Sequence, residues 1–344
     1  MNKNILIVKL SAIGDVIHAL PVGHALKQLY PQSRITWIVE KPAYDLLTNN
    51  PYIDEIMIFE KAKYKSFYGL LHHSHELSGM LQSKQFDLAI DLQGLFKSAA
   101  ISWLSGANER LVYCNARELS DWVGKRICGE FSDGHIVDRY LDVVRHLGGN
   151  IQEPDFTIKI TNEEAQLSHT IATKAGFDLN RPYVVLAPGT NWPNKCWPLP
   201  HFSTLSNKLT AMNVIPVIVG GPGDQRLAAE ISANTTIPPV DLTGKTSLKQ
   251  LAYIIQQAKS FVGGDTGPMH LAAALKTPIV AMFGPTDVKR NGPYGENNIV
   301  LTAEHDCQGC WKRSCPLNKE CLENITPDKV YEAVELLICS SSKG

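Results

Sequence analysis

The chain has 344 residues, more than one ordinary hydrophobic core accommodates, so two domains are expected. Hydrophobic residues make up 44% and charged residues 19%, a globular balance that excludes a disordered or fibrous chain. The formal net charge of −1 excludes a generally basic nucleic-acid binder, so any anion site must be local.

In chain order, NILIVKL (4–10) reads as a strand, 15–31 as a helix and RITWIVE (34–40) as a second strand. EIMIF (55–59) and DLAIDL (87–92) continue the series. Lys9 interrupts the first run and no small-residue cleavage site follows, so no leader peptide is expected. No run approaches about 18 uninterrupted apolar residues, so no transmembrane helix is expected and a cytoplasmic location is the default. The pattern pauses near 150–182 and then restarts. Strands follow at 183–189, 214–221, 260–265 and 278–284, with helices around 199–212, 224–233 and from 267, and a closing helix over 326–338. Strands alternating with helices imply parallel sheets joined by right-handed crossovers. The expected fold class is therefore α/β, with two doubly wound domains whose ligands sit at the carboxyl ends of the strands.

The strand ends carry the polar residues. In SFVGGDTGPMH (260–270), Gly267 and Pro268 open a helix behind Asp265, and Thr266 reads as its N-cap. Unpaired amides and the helix dipole favour an anion there, and His270 lies one turn further on the same face. The alternative is a glycine turn beside a buried, satisfied histidine. In LAPGTNWPNKCWP (186–198), Thr190, Asn191 and Lys195 follow a strand. Lys195 is either a point cation for a phosphate or a solvated loop lysine. In VIVGGPGDQR, Asp224 suits a ribose hydroxyl and a helix N-cap equally. In the first half, Ser11, Gly14 and Asp15 occupy a strand-to-helix junction. Asp15 is either a first-turn acid favoured by the dipole or a base facing a ligand. Gln93 and Lys97, in DLQGLFKS, form either a capped helix start or a platform for an anionic acceptor. Ser247 and Gln250 read as a capping box.

Several chemistries drop out. LTGKTS (242–247) has Pro239 where a P-loop needs glycine. No G-x-G-x-x-G follows the first strand, against a dehydrogenase. No Asp-x-Asp pair is present to clamp a metal-bound sugar diphosphate. Of eight cysteines, Cys114, Cys128, Cys196 and Cys339 are scattered and read as plain thiols. Cys307, Cys310, Cys315 and Cys321 are spaced C-x2-C-x4-C-x5-C, which leaves a zinc knot, disulfides or free thiols open.

Taken together, LSAIGDVIHALP, WIVE, DLQGLFKSA, NAREL, APGTNWPNKCWP, GGPGD, GDTGPMHLAAAL and FGPTD resemble family 9 glycosyltransferases, the lipopolysaccharide heptosyltransferases, and the heptosyltransferase I branch most. The resemblance implies a GT-B fold of two facing Rossmann-like domains with a central cleft. Residues 1–158 would bind the acceptor and 159–325 the nucleotide sugar, with a C-terminal helix over 326–342 packing back on the first domain. It also implies inverting transfer of heptose from ADP-L-glycero-beta-D-manno-heptose to the Kdo of lipid A-Kdo2. No cofactor and no metal would take part, and the enzyme would be a monomer on the cytoplasmic face of the inner membrane, without nucleic acid. Asp15 would be the general base. Lys195, Thr190, Asn191 and the amides at Thr266 and Gly267 would stabilise the departing ADP, with His270 supporting a phosphate. Asp265 and Asp224 would hold donor hydroxyls. Ser11, Gly14, Gln93, Lys97 and Arg117 fall on the acceptor side. Lys61, Lys63 and Lys65 form either a headgroup-facing edge or a solvated face. Three alternatives accompany this reading: a family 9 transferase with another nucleotide sugar or acceptor, a GT-B nucleotide-sugar epimerase, and a non-catalytic nucleotide-binding module.

Overall fold

The computed structural model describes residues 2–64, 66–118, 120–316 and 321–341. The chain divides into two compact units, Met1–Lys159 and Ile160–Gly344. Lys65 of the candidate basic edge lies outside the described residues, and Lys63 pairs with Glu60.

In the first unit the strands are β1 (Asn4–Val8), β2 (Arg34–Val39), β3 (Glu55–Ile58), β4 (Leu88–Asp91), β5 (Glu109–Tyr113) and β6 (Lys125–Ile127). They form one parallel sheet in the order β3-β2-β1-β4-β5-β6. The connecting helices are α1 (Ile13–Leu29), α2 (Tyr44–Leu47), α3 (Phe67–Gln82), α4 (Phe96–Leu104) and α5 (Ile136–His146). Ile5, Leu6, Ile7 and Val8 are wholly buried, as a central parallel strand covered on both faces requires.

The second unit opens with α6 (Asn162–Lys174). Its strands are β7 (Tyr183–Ala187), β8 (Ile215–Ile218), β9 (Val240–Asp241), β10 (Ser260–Gly264), β11 (Ile279–Phe283) and β12 (Asn298–Thr302). Between and after them come α7 (Leu199–Ala211), α8 (Gln225–Ala233), α9 (Leu248–Gln257), α10 (Gly267–Ala274), α11 (Val288–Asn291) and α12 (Pro327–Ser341). The sheet order is β12-β11-β10-β7-β8-β9, again parallel. Numbered within its own unit, each sheet therefore runs 3-2-1-4-5-6. The switch point falls between strands 1 and 4, where an open sheet parts its loops for a ligand. The Ser247–Gln250 capping box starts α9 as expected, with Gln250 N donating to Ser247 Oγ at 3.3 Å and Ser247 N to Gln250 Oε1 at 2.8 Å.

The closing helix α12 contributes Val330, Ala333 and Val334 to the second unit's core, with Trp197, Phe202 and Leu205. One placement differs from the sequence reading. Cys114 and Cys128, read as plain thiols, are joined in a disulfide with their Cα atoms 4.6 Å apart. The cause is register: Tyr113 pairs with Ile127 across β5 and β6, so the next residue on each strand meets its counterpart. The sequence reading does not include β5, β6, β9 and β12, which are short, edge or charged segments with weak apolar runs.

Candidate active site

At the switch point of the first unit, the loop after β1 meets the loop after β4. Gln93 accepts both the Leu10 and Ser11 amides on its Oε1, each at 3.1 Å, and so fixes the path of Ser11. Gly14 is buried in the first turn of α1. Asp15 is half-buried, and its Oδ2 accepts the Ala12 amide at 3.2 Å. Beneath them Asp91 ends β4, 2% exposed. Its Oδ1 accepts the Gln93 and Gly94 amides at 2.8 and 2.9 Å, and Ser98 Oγ donates to its Oδ2 at 2.8 Å. Burial pushes the Asp91 carboxyl up to about 6, against the pull of those hydrogen bonds and of Lys9. Gly94 takes φ +65°, and a Cβ there would come within 3.1 Å of the Ala116 backbone, so the turn requires glycine. Lys97 pairs with Glu40 at 2.6 Å. Arg117 is exposed and is tied to this turn by its amide, which donates to Gly94 O at 2.8 Å.

The second unit repeats the arrangement with charges. Asp265 follows β10 directly and is 6% exposed. Lys195 Nζ donates to its Oδ2 at 2.6 Å and reaches its carbonyl at 3.3 Å. His270 Nε2 lies 3.0 Å from Oδ1, and Asn291 Nδ2 donates to Oδ2 at 3.3 Å. Burial alone would raise the Asp265 carboxyl. Its bond to His270 and the charges of His270 and Lys195 outweigh that and hold it well below the usual carboxylate range. Two of the three Lys195 donor positions are thus committed to Asp265, which leaves one donor for a ligand. The Lys195 ammonium also stands 4.7 Å from the centre of the Trp192 ring. Gly264 permits this approach, because a Cβ there would come within 2.8 Å of Lys195 O.

The remaining residues are placed around this network. Thr190 Oγ1 donates to Trp192 O at 2.8 Å and accepts Trp192 N at 2.9 Å, shaping the loop. Asn191 is exposed. Thr266 holds the N-cap position of α10 without a side-chain cap; its hydroxyl reaches Gly264 O at 3.3 Å. Gly267 begins α10. Asp224 holds the N-cap position of α8 without a side-chain cap, and its Oδ2 accepts the Gly221 amide at 2.8 Å. Sequence reasoning missed Asp91 and Asn291. The first stood in plain view at the end of DLAIDL; the second follows FGPTD, and no periodicity marks it.

A family model described as Glycosyltransferase family 9 (heptosyltransferase) matches residues 74–320, more than half of the chain. The chain belongs to glycosyltransferase family 9. Membership makes it a glycosyltransferase. Among family 9 relatives, the lipopolysaccharide core heptosyltransferase OpsX of Haemophilus influenzae is 27% identical over 89% of this chain and 86% of its own. Lipopolysaccharide heptosyltransferase 1 of Pseudomonas aeruginosa is 26% identical over 97% and 98%. Among solved structures, Escherichia coli heptosyltransferase WaaC with ADP-2-deoxy-2-fluoro heptose superposes with a TM-score of 0.72 at 25% identity, over 97% of this chain and 99% of that one.

Proposed function

We propose that this family 9 enzyme moves heptose from ADP-L-glycero-beta-D-manno-heptose to the Kdo of lipid A-Kdo2 with inversion. The observation that carries this is the Lys195–Asp265–His270 network at the start of α10. It fixes a cation beside a helix N-terminus, which is the chemistry a pyrophosphate needs. The first unit would hold the acceptor and the second the donor. Asp15 would take the proton of the acceptor hydroxyl as that oxygen attacks the anomeric carbon. The bond from that carbon to the phosphate oxygen breaks, and ADP leaves with the electron pair. Lys195, the Thr266 and Gly267 amides and His270 would meet its growing charge, with Thr190 and Asn191 forming the loop edge. In this reading Asp265 orients Lys195 and His270 rather than a sugar hydroxyl, and Asp224 remains a candidate for one. Gln93 would hold the Asp15 loop, and Lys97 and Arg117 would face the acceptor's anionic groups. Among the described residues no helix is long and apolar enough to cross a membrane. The exposed Tyr68, Leu71, Phe96, Trp103 and Trp122 of the first unit support work at the cytoplasmic membrane surface.

The test is transfer from ADP-heptose to Kdo2-lipid A. Asp15→Ala is expected to lower kcat at least ~100-fold while ADP affinity holds. Turnover near wild type would remove Asp15 from its role. Lys195→Ala is expected to weaken ADP binding at least ~10-fold, and an unchanged dissociation constant would remove the phosphate assignment. Transfer only to an already heptosylated acceptor would overturn the Kdo assignment, and donor turnover without any acceptor would point to epimerisation.

A further inference from the structure

Residues 303–326 join β12 to α12, and the described ones form no helix or strand. Structureless connections seldom exceed ~12–15 residues unless they carry a function. This one is nevertheless pinned. The Gly309 and Trp311 amides donate to Gly284 O and Pro285 O at 2.9 and 2.7 Å, just past β11. Asn194 Nδ2 donates to Lys312 O at 3.0 Å, and Trp197 Nε1 donates to Ile325 O at 2.7 Å. Arg313 stands 5.8 Å from the centre of the Trp192 ring, on which Lys195 also rests. The segment thus leans on the loop that presents Lys195.

The same segment carries Cys307, Cys310, Cys315 and Cys321. Cys321 packs against the end of β11, where a Cβ on Gly284 would meet its sulfur at 2.5 Å. Cys310 lies between Gly309 and Trp311, whose amides hold Gly284 and Pro285, so it stands at the same turn as Cys321, and Cys307 and Cys315 lie close to it along the chain. The structure joins Cys114 to Cys128, yet none of these four is in a disulfide. Among the described residues no three of these sulfurs lie within 4.8 Å of one another, so the set is open. His305, two residues before Cys307, keeps a buried Nε2 that no hydrogen bond satisfies. A buried imidazole nitrogen needs a partner, and a metal-bound thiolate or the ion itself supplies one.

We propose that Cys307, Cys310, Cys315 and Cys321 bind one zinc-class divalent ion as a four-thiolate knot, which fastens this segment to β11 and steadies the Lys195 loop. Zn–S bonds of ~2.3 Å in a tetrahedron would draw the sulfurs to ~3.8 Å from one another. Four thiols lose four protons to the solvent and four metal–sulfur bonds form, with no change of oxidation state. The ion is structural and stands outside the transfer reaction. The metal claim does not rest on the proposed donor or acceptor.

The test uses the full chain, reconstituted with zinc under reducing conditions, and measures metal content by plasma emission. About one ion per chain is expected, with thiolate-to-metal charge-transfer absorption after cobalt substitution. Cys310→Ser and Cys315→Ser should lose the ion, and Cys339→Ser should keep it. Chelation should quicken amide exchange in residues 190–195. A substoichiometric ion in the reconstituted wild type would overturn the knot, as would metal retained by both Cys310→Ser and Cys315→Ser. If those variants fail to fold, the wild-type metal content and cobalt spectrum decide alone: cobalt bound without charge-transfer bands would also overturn it.

Discussion

Asp91 and Asp265 sit at matching places, each at the carboxyl end of the fourth strand of its unit, and the two carboxylates are satisfied in opposite ways. Asp91 meets amides and a hydroxyl, so burial dominates and its proton is held up to about 6. Asp265 meets Lys195 and His270 and is held well below the usual range. One topology therefore supplies a neutral-donor cradle in the first unit and a charged one in the second. The fold places a carboxylate under the ligand loops, and the partners decide whether it serves the backbone path or a cation.

Removing the charged cradle should have the largest effect. Asp265→Ala leaves Lys195 and His270 without their shared acceptor, and is expected to cost about 3–5 kcal/mol in denaturant unfolding and to abolish tight ADP binding. A loss under ~1 kcal/mol would mean that solvent readily replaces the carboxylate.

The pH dependence should split the pair next. Asp91 has a folded pKa above its usual 3.8, so the folded state binds the extra proton between roughly pH 4 and 6. Its contribution to stability falls as pH rises through that window, by up to about 3 kcal/mol. Asp265 runs the other way: its contribution is present above 3.8 and is lost as pH falls toward its depressed folded value. Asp91→Asn should flatten the pH 4–7 slope of unfolding free energy, and an unchanged slope would assign the titration elsewhere.

The smallest test compares the two hydroxyls beside these acids. Ser98→Ala removes a donor to a buried carboxylate and should cost about 1–3 kcal/mol. Thr266→Ala removes only a 3.3 Å contact from a position without a side-chain cap, and should cost less than ~0.5 kcal/mol. Equal losses would break the comparison.

The sequence announced the alternation of strands and helices because buried parallel strands are short apolar runs closed by glycine turns. The candidate polar residues were legible for the same reason: they stand where those runs stop. Their partners were not. Lys195 and Asp265 are 70 residues apart, and Gln93 lies 83 from Leu10, so no local spacing marks either contact. The resemblance assigns Asp265 to a donor hydroxyl, and no local spacing shows that it also meets Lys195, His270 and Asn291. The Cys114–Cys128 pair escaped notice because it depends on the register of a short, weakly apolar edge strand.

Trp192 has one cation 4.7 Å from its ring centre and another at 5.8 Å. An indole's emission follows the field around it, so an anion bound at Lys195, as proposed, would change the emission of Trp192, one of the six tryptophans of the chain.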